Sequence, residues 1–172
     1  MGVAGYSEIA RILGLNSVAE RYADIAKKMA MKWEEMANEG DHYRLAFDRN
    51  NTWSQKYNII WDKMWNLNIF PNNVISKEIN YYLTKQNLYG LPLDSRRDYT
   101  KSDWIMWTAA MSPNREIFEK FVVPLYKYIN ETTSRVPISD WHDTKTGRMT
   151  GFKARSVIGG YWIQVLMDKM NH

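Results

Sequence analysis

Apolar residues recur every three or four positions over most of the chain, which is the spacing of one face of an α-helix. The clearest example is Val18, Tyr22, Ile25, Met29 and Trp33. On this criterion we expect seven helices, at about residues 6–13, 18–36, 54–67, 72–86, 101–111, 112–130 and 154–169. Residues 42–47 alternate apolar and polar positions and form the one candidate strand. The pattern therefore predicts an all-α chain.

The connections between these helices alternate in length. Short turns at 14–16, 68–71 and 112–113 alternate with long segments at 37–53, 87–100 and 131–153. In an up-and-down array successive connections lie at opposite ends of the helices, so the long segments should share one end. Long loops in compact domains are usually functional, although these could also merely border the rim. The alternation suggests an α/α toroid or a helical solenoid, and the lack of a fixed-period repeat argues against the common solenoid families.

Composition narrows the function classes. The chain has 172 residues, which fits a single domain, and 14% of them are aromatic, with eight Trp and eleven Tyr. Such rings build cores and also line ligand clefts. There is no Cys, which excludes disulfides, thiolate nucleophiles and Cys-ligated metals. The net charge is +4 without a basic stripe, so we predict no nucleic-acid partner.

Neither a membrane segment nor a metal site is visible in the sequence. The longest nearly uncharged stretch, 156–167, is too short to span a bilayer, and the first residues do not resemble a signal peptide. The three His residues show no ligand spacing. We therefore predict no membrane partner, no metal and no cofactor.

The connection YGLPLDSRRDYTKSDW, residues 89–104, is the richest in charge. Carboxylates beside guanidinium groups and aromatic faces suit a cleft that holds and hydrolyses a polar substrate. Its candidate catalytic residues are Asp94, Asp98, Lys101 and Asp103. Its candidate substrate-binding residues are Arg96, Arg97 and Trp104. The alternative is a salt-bridged loop in which Thr100 and Asp103 cap the following helix.

The second charged connection is SRVPISDWHDTKTGRMTGFKAR, residues 134–155. It adds Asp140 as a catalytic candidate. The binding candidates here are Arg135, Trp141 and Arg155. Asp140 to Asp143 could supply an acid and a base beside a stacking ring, or residues 143–147 could simply form a hairpin tip. Activation of the Ser102 hydroxyl by its neighbour Lys101 is conceivable.

Three runs of the sequence resemble the C-terminal region of the glutaminase A family. They are TWSQKYNIIWDKMWNLNIFP, YGLPLDSRRDYTKSDW and SRVPISDWHDTKTGRMTGFKARSVIGGYW, and the resemblance extends from about residue 5 to residue 167. It implies a six-hairpin, glycosidase-like α/α toroid, a glutaminase activity, and a secreted or periplasmic location. It assigns no catalytic residue.

Members of that family are several times longer than this chain and include the opening hairpins of the toroid. Seven helices cannot close a ring of about twelve, so we expect a partial toroid, excised from the C-terminal part of a longer protein. Its partners would be the upstream domains of the same chain and a small polar substrate, glutamine or a glycan. Alone it should be inactive or nearly so. It could also self-associate through the helix faces that carry Ile9, Ile12, Val18 and Ile25.

Three functions remain open at this point. The first is a share in hydrolysing glutamine to glutamate, with Arg96 or Arg155 binding substrate carboxylates. The second is a share in a glycoside hydrolase, where two carboxylates flank the scissile bond. The third is a non-catalytic carbohydrate-binding or scaffold domain.

Overall fold

The computed structural model describes residues 1–170, and most of them are helical. The seven α-helices are α1 (Gly2–Ile12), α2 (Asn16–Ala37), α3 (Ile60–Met64), α4 (Asn73–Leu83), α5 (Ser102–Ala110), α6 (Arg115–Glu131) and α7 (Ile163–Met170). Two 3₁₀ segments, Tyr57–Ile59 and Ser156–Trp162, lead directly into α3 and α7. The mostly helical class expected from the apolar period is confirmed. None of the described helices is both long and apolar enough to cross a membrane.

The core is built around α5. Seven of its nine residues are buried, and it packs against α6, α7 and the 3₁₀ segment before α7. A mostly apolar helix that is buried on nearly all sides belongs in the middle of a domain. The buried residues of α5 share one hydrophobic cluster with the largest fully buried side chains of the described residues, among them Tyr43, Tyr82, Phe121 and Tyr128.

Helices α1 and α2 form a hairpin with a seam of small residues. Ala4, Ser7 and Ala10 of α1 are buried, as are four of the five alanines of α2, and the Ser7 hydroxyl donates to the carbonyl of Ala19 at 2.7 Å. Several large apolar residues of this hairpin are instead exposed. Ile9 is 57% exposed and Ile12 is 83% exposed.

The exposure expected on this hairpin is thus only partly present. Ile9 and Ile12 are exposed as predicted, whereas Val18 and Ile25 are half-buried. The remaining apolar surface, with Tyr6, Leu13 and Met29, was not among the residues expected there.

A small antiparallel sheet joins the two charged connections. Its strands are β1 (Tyr99–Lys101), β2 (Trp141–Asp143) and β3 (Met149–Gly151), in the order β1–β2–β3. Thr100 lies opposite His142, and Lys101 lies opposite Trp141. Each strand has only three residues, too few for period-two alternation to reveal it in the sequence.

The strand expected at residues 42–47 is wrong. This segment is a loop with a single bridge, between Asn38 and Tyr43. The backbone N–H of Tyr43, which a neighbouring strand would have bonded, donates instead to the Glu78 carboxylate at 2.7 Å. Alternation alone cannot make a strand where the backbone has no partner strand.

Several predicted helix boundaries also change: α1 begins at Gly2 and not at residue 6, and three other helices begin later than expected. The predicted helix 54–67 is α-helical only at residues 60–64, because residues 53–55 bond to the neighbouring connection: Gln55 N–H donates to Leu93 O at 2.8 Å. The predicted helix 154–169 begins as a 3₁₀ segment at Ser156. Helix α6 begins after Asn114, whose side chain accepts from Ile117 N–H at 3.0 Å, and not at residues 112–113.

The three long connections meet in one region. Ser95 N–H donates to Trp53 O at 3.0 Å, which joins the first connection to the second. Thr144 N–H donates to Asp98 O at 2.7 Å, which joins the second to the third. This is the clustering that the alternation of long and short connections predicts.

Candidate functional site

Charged side chains gather where β1 runs into α5. Lys101 ends β1, and Asp103 is the second residue of α5. Asp140 directly precedes β2 and lies beside them, because Ser102 N–H donates to Asp140 O at 2.8 Å. The pairing of β1 with β2 thus brings together two connections that the sequence separates by about forty residues. We call Lys101, Asp103, Asp140 and Arg155 the charged cluster.

Asp140 is fully buried, and both of its carboxylate oxygens are occupied. Arg155 Nε donates to Oδ1 at 3.0 Å, and Arg155 Nη2 donates to Oδ2. Lys101 Nζ lies 3.3 Å from the same Oδ2. Burial opposes ionisation, but the hydrogen bonds from Arg155 and the charge of Lys101 outweigh it and lower the pKa of Asp140. Asp140 is therefore an anchor for two cations.

Lys101 is enclosed by aromatic rings. Its Nζ lies 4.4 Å from the centroids of both Trp141 and Phe152, and Arg155 Cζ lies 4.2 Å from the Phe152 centroid. Phe152 has a left-handed backbone (φ 54°), which is uncommon for a bulky residue. Burial lowers the pKa of Lys101, although Asp140 acts in the opposite direction.

Asp103 has a different environment from Asp140. It is 4% exposed, and among the described residues its Oδ1 has no hydrogen-bond partner. Burial is the main cause that raises the pKa of Asp103 to about 6; the charge of Asp140 acts in the same direction, and the backbone N–H groups of Asp103 and Trp104 and the charge of Lys101 act against it. A carboxyl group with such a pKa can exchange a proton near neutral pH.

The main chain approaches Asp103 closely at Gly160. A Cβ atom at position 160 would lie 3.2 Å from Asp103 Cβ and 2.8 Å from Trp107 Nε1. A side chain there would displace the indole or the carboxyl group, so the 3₁₀ segment packs here only because residue 160 is glycine. The sequence analysis did not single out Trp107 or Gly160.

Ser102 is not placed as a nucleophile activated by Lys101. It is fully buried, its hydroxyl donates to Asp140 O at 3.2 Å, and it accepts from the Tyr161 hydroxyl at 2.6 Å. The ammonium of Lys101 is directed to the Asp140 carboxylate instead. Ser102 and Tyr161 hold the start of α5 against the 3₁₀ segment.

An aromatic groove lies next to the charged cluster. Its volume is about 360 Å³, and Tyr57 and Trp104 stack along it with centroids 4.1 Å apart at 8°. Burial raises the pKa of Tyr57. Trp104 directly follows Asp103 in α5, so the groove adjoins the charged cluster at this point. Tyr57 lies within the predicted helix 54–67 and was not among the candidate site residues; its position just after a long connection is the signal that could have identified it.

Asp94 and Arg96 form another part of the groove lining. Asp94 is 4% exposed and accepts hydrogen bonds from the backbone N–H of Arg96 and, at 2.9 and 2.7 Å, from its Nε and Nη2. The Arg96 side chain is 56% exposed. Asp94 thus positions Arg96 at the groove.

The remaining candidates lie outside both features. Asp98 pairs with Lys145 at 2.8 Å, with about half of each side chain exposed. Arg97 is exposed along a shallow depression that Asp98 also lines. Arg135 is exposed on the connection after α6. Trp141 belongs to the cluster's surroundings, where it covers Lys101.

The segment 140–143 does not supply an acid and a base. His142 is fully buried, stacks on Tyr128 at 3.5 Å, and its Nε2 lies 2.9 Å from Tyr89 O. Burial lowers the pKa of His142 to about 4, so the ring is neutral at pH 7. Asp143 Oδ1 accepts from Lys145 N–H and Thr146 N–H, which forms the hairpin tip that was the alternative expectation.

The arrangement offers one proton-exchanging carboxyl group, two cations anchored on a buried carboxylate, and an adjoining aromatic groove. Within residues 1–170, no group of three or more His, Asp or Glu side chains is placed to hold a metal ion. Such a set can bind a substrate carboxylate and assist the hydrolysis of a polar bond.

Comparison with known proteins identifies the family. A family model described as the glutaminase A six helical-hairpin domain matches residues 1–165. Glutaminase A of Aspergillus oryzae is 30% identical over 174 residues, which cover 97% of this chain and 25% of that protein. A protein of Arthroderma benhamiae named as a probable glutaminase is 27% identical over 204 residues, which cover 98% of this chain and 23% of that protein.

The chain therefore spans about a quarter of the length of the curated relatives it matches. No solved structure matches it. The match over nearly the whole chain shows that it belongs to the glutaminase A six helical-hairpin domain family.

Proposed function

We propose that this chain is the helical domain of an enzyme that hydrolyses the side-chain amide of glutamine, and that the charged cluster is part of its active site. The observation that carries the proposal is Asp103, a buried carboxyl group with one unpartnered oxygen and a pKa of about 6. Membership of the glutaminase A domain family supports the choice of reaction.

Each part of the cluster has a use in amide hydrolysis. The reaction needs a group that takes a proton from the attacking water and returns one to the departing ammonia, and Asp103 can serve in both steps. The Lys101 ammonium can stabilise the negative oxygen of the tetrahedral intermediate. Arg155 uses Nε and Nη2 for Asp140, which leaves Nη1 for the substrate carboxylate.

We propose further that the helices form one arc of an α/α toroid, to which other domains of the same protein contribute. A site made from loops around a ring needs all its parts within about 0.5 Å of their working positions. The 172-residue domain alone should bind substrate weakly and turn it over slowly at best. By its resemblance, we place the parent protein outside the cytoplasm.

One observation favours a glycoside hydrolase as the second candidate. The pKa values of Asp103 and Asp140 are moved in opposite directions, as in pairs of acid and nucleophile carboxyl groups. Against it, both oxygens of Asp140 are held by Arg155 and Lys101, and the residue is fully buried. A glycosidic bond could not reach it without breaking those ion pairs.

Ligand-induced thermal stabilisation separates the two functions. We expect glutamine to raise the melting temperature of the domain, by the equivalent of about 2.7 kcal/mol at a ligand concentration of roughly 100 Kd. Arg155→Gln should abolish this shift, and Arg135→Gln, which removes an exposed arginine elsewhere, should retain it. Stabilisation by members of a glycan panel with none by glutamine would contradict the proposal and favour the glycoside hydrolase.

A further inference from the structure

We propose that the glutamine bound by this domain is part of a peptide chain, and that this peptide lies in an extended groove whose basic end selects acidic side chains. The choice of glutamine rests on the proposed function above. The groove and its preference for acidic peptides rest on separate observations.

The first observation is that three depressions of the surface adjoin one another through shared lining residues. The aromatic groove of about 360 Å³ shares Trp33, Leu45, Ser54 and Lys56 with a depression of about 610 Å³. It shares Asp94 and Arg96 with another of about 330 Å³. We call the three together the extended groove. Each part is already as large as a typical small-molecule site of ~300–1,000 Å³, so a single free amino acid would occupy only a fraction of the whole.

The second observation is the distribution of charge along the extended groove. Its basic end is the depression lined by Lys85, Arg96, Arg97, Asp98 and Lys145. Two of these cations are neutralised, since Arg96 pairs with Asp94 and Lys145 pairs with Asp98. Arg97 forms no ion pair within residues 1–170, and Lys85 Nζ lies 4.6 Å from the centroid of Tyr81. The lining of this end therefore has four cations and two carboxylates, an excess of two positive charges.

The third observation distinguishes a peptide from an acidic polysaccharide. Sugar-binding clefts present open aromatic faces on which the rings of the ligand lie. Here one face of Tyr57 and one face of Trp104 are occupied by their stacking on each other, and Trp33 packs against Phe70 at 5.5 Å and against Tyr43 at 4.9 Å. The groove is also lined by aliphatic and amide side chains, such as Leu45, Leu93 and Gln55, which suit the side chains and backbone of a peptide.

Fluorescence anisotropy with labelled peptides tests this proposal. Short peptides would carry one central glutamine and either glutamates on one side of it, glutamates on the other side, or no charge. We expect one acidic peptide to bind roughly tenfold more tightly than the neutral one, and the difference to shrink at high salt. Equal binding of all three peptides would overturn the proposal.

Charge reversal locates the binding site. Arg97→Glu and Lys85→Glu should each weaken binding of the preferred acidic peptide by about tenfold or more, because like charges then face each other. Arg135→Glu makes the same change in net charge at an exposed arginine outside the extended groove, and it should bind like the unchanged domain. An equal loss in Arg135→Glu would show a non-specific charge effect and overturn the proposal. So would tighter binding of an acidic oligosaccharide of the same charge.

A further peptide separates this inference from the proposed function. In it, alanine replaces the central glutamine while the glutamates stay. If affinity falls when the glutamates are removed but not when the glutamine is replaced, the glutaminase proposal is contradicted and the extended groove remains a site for acidic peptides. If affinity falls when the glutamine is replaced but not when the glutamates are removed, the inference about acidic peptides is contradicted and the glutaminase proposal remains.

Discussion

Two buried carboxyl groups, Glu78 in α4 and Asp103 in α5, have similar exposure but different surroundings. Glu78 is 2% exposed and Asp103 is 4% exposed, and burial raises the pKa of both. Glu78 accepts hydrogen bonds from Tyr43 N–H and from the Tyr82 hydroxyl. Asp103 Oδ1 accepts none from the described residues. A raised pKa is therefore shared by a structural and a candidate catalytic group, and the hydrogen-bond partners distinguish them.

The partners of Glu78 explain its role. Tyr43 belongs to the first long connection, and Tyr82 also accepts from Lys56 N–H at 2.8 Å. Lys56 Nζ in turn donates to the carbonyl oxygens of Tyr43, Arg44 and Ser54. Glu78 thus fixes to α4 the connection that lines the aromatic groove. Asp103 instead lies among charges beside that groove and holds no loop in place.

The largest expected effect is on the structural side of this comparison. Glu78→Leu should lower the free energy of unfolding by about 2–4 kcal/mol, because the buried N–H of Tyr43 loses its acceptor. Urea unfolding would measure it. Glu116→Leu is the matched control: that side chain is 77% exposed and pairs only with Lys120, so its change should stay below about 1 kcal/mol. Equal losses of unfolding free energy in the two variants would show that Glu78 has no special structural role.

Replacement of Asp103 should change the free energy of unfolding in the opposite direction. Its pKa of about 6 in the folded state lies above the ordinary 3.8, so its ionisation lowers stability as pH rises from about 4 to 6, with the full loss above 6. Asp103→Asn does not ionise and should therefore be more stable than the unchanged domain at neutral pH, by about 1–3 kcal/mol. The gain should vanish near pH 4. At each pH the variant is compared with the unchanged domain. A stability advantage of the variant that is smaller at neutral pH than at pH 4 would contradict this prediction.

A smaller effect tests whether the cluster acts as a unit. Lys101 lowers the pKa of Asp103 and Asp140 raises it. Lys101→Met should therefore raise the pKa of Asp103 and Asp140→Asn should lower it, each by about 0.5–1 unit. Carbon-13 NMR titration of the side-chain carboxyl group would follow both, with circular dichroism confirming the fold. A pKa that stays near 6 in both variants would separate Asp103 from the cluster.

The smallest effect is expected at Asp98. Its ion pair with Lys145 is about half exposed, so Asp98→Asn should change the free energy of unfolding by no more than about 0.5 kcal/mol. The glutamine-induced shift in melting temperature should also be unchanged. A loss of that shift would return Asp98 to the candidate site.

Much of the architecture could be predicted from the sequence, and less of the site. The apolar period located all seven helices to within a few residues at most ends, and the long connections were expected to meet. The strand prediction from alternating apolar and polar residues failed at residues 42–47, because the backbone N–H of Tyr43 donates to the Glu78 carboxylate and not to a neighbouring strand. The helical period failed at residues 54–59, because the backbone at the start of the predicted helix 54–67 bonds to the second long connection.

The charged residues were all visible as candidates, but their roles were not. Asp94, Asp98, Asp103 and Asp140 have the same side chain, and they sit in similar polar stretches of sequence. In the structure Asp94 positions Arg96, Asp98 pairs with Lys145, and Asp140 anchors Lys101 and Arg155. Of these four aspartates, only Asp103 has a buried oxygen without a hydrogen-bond partner among the described residues.

The sequence by itself determined which segments are helical and where the long connections lie, and its motifs indicated the family of the chain. Helical periodicity is readable because it depends on neighbours three or four residues apart. The three-residue strands and the ionisation of each carboxyl group were decided by the tertiary structure. Asp140 owes its low pKa to Arg155, fifteen residues later, and to Lys101, thirty-nine residues earlier. Asp103 is two residues from Lys101 in the chain, yet the fold directs that ammonium to Asp140 and leaves Asp103 able to hold a proton.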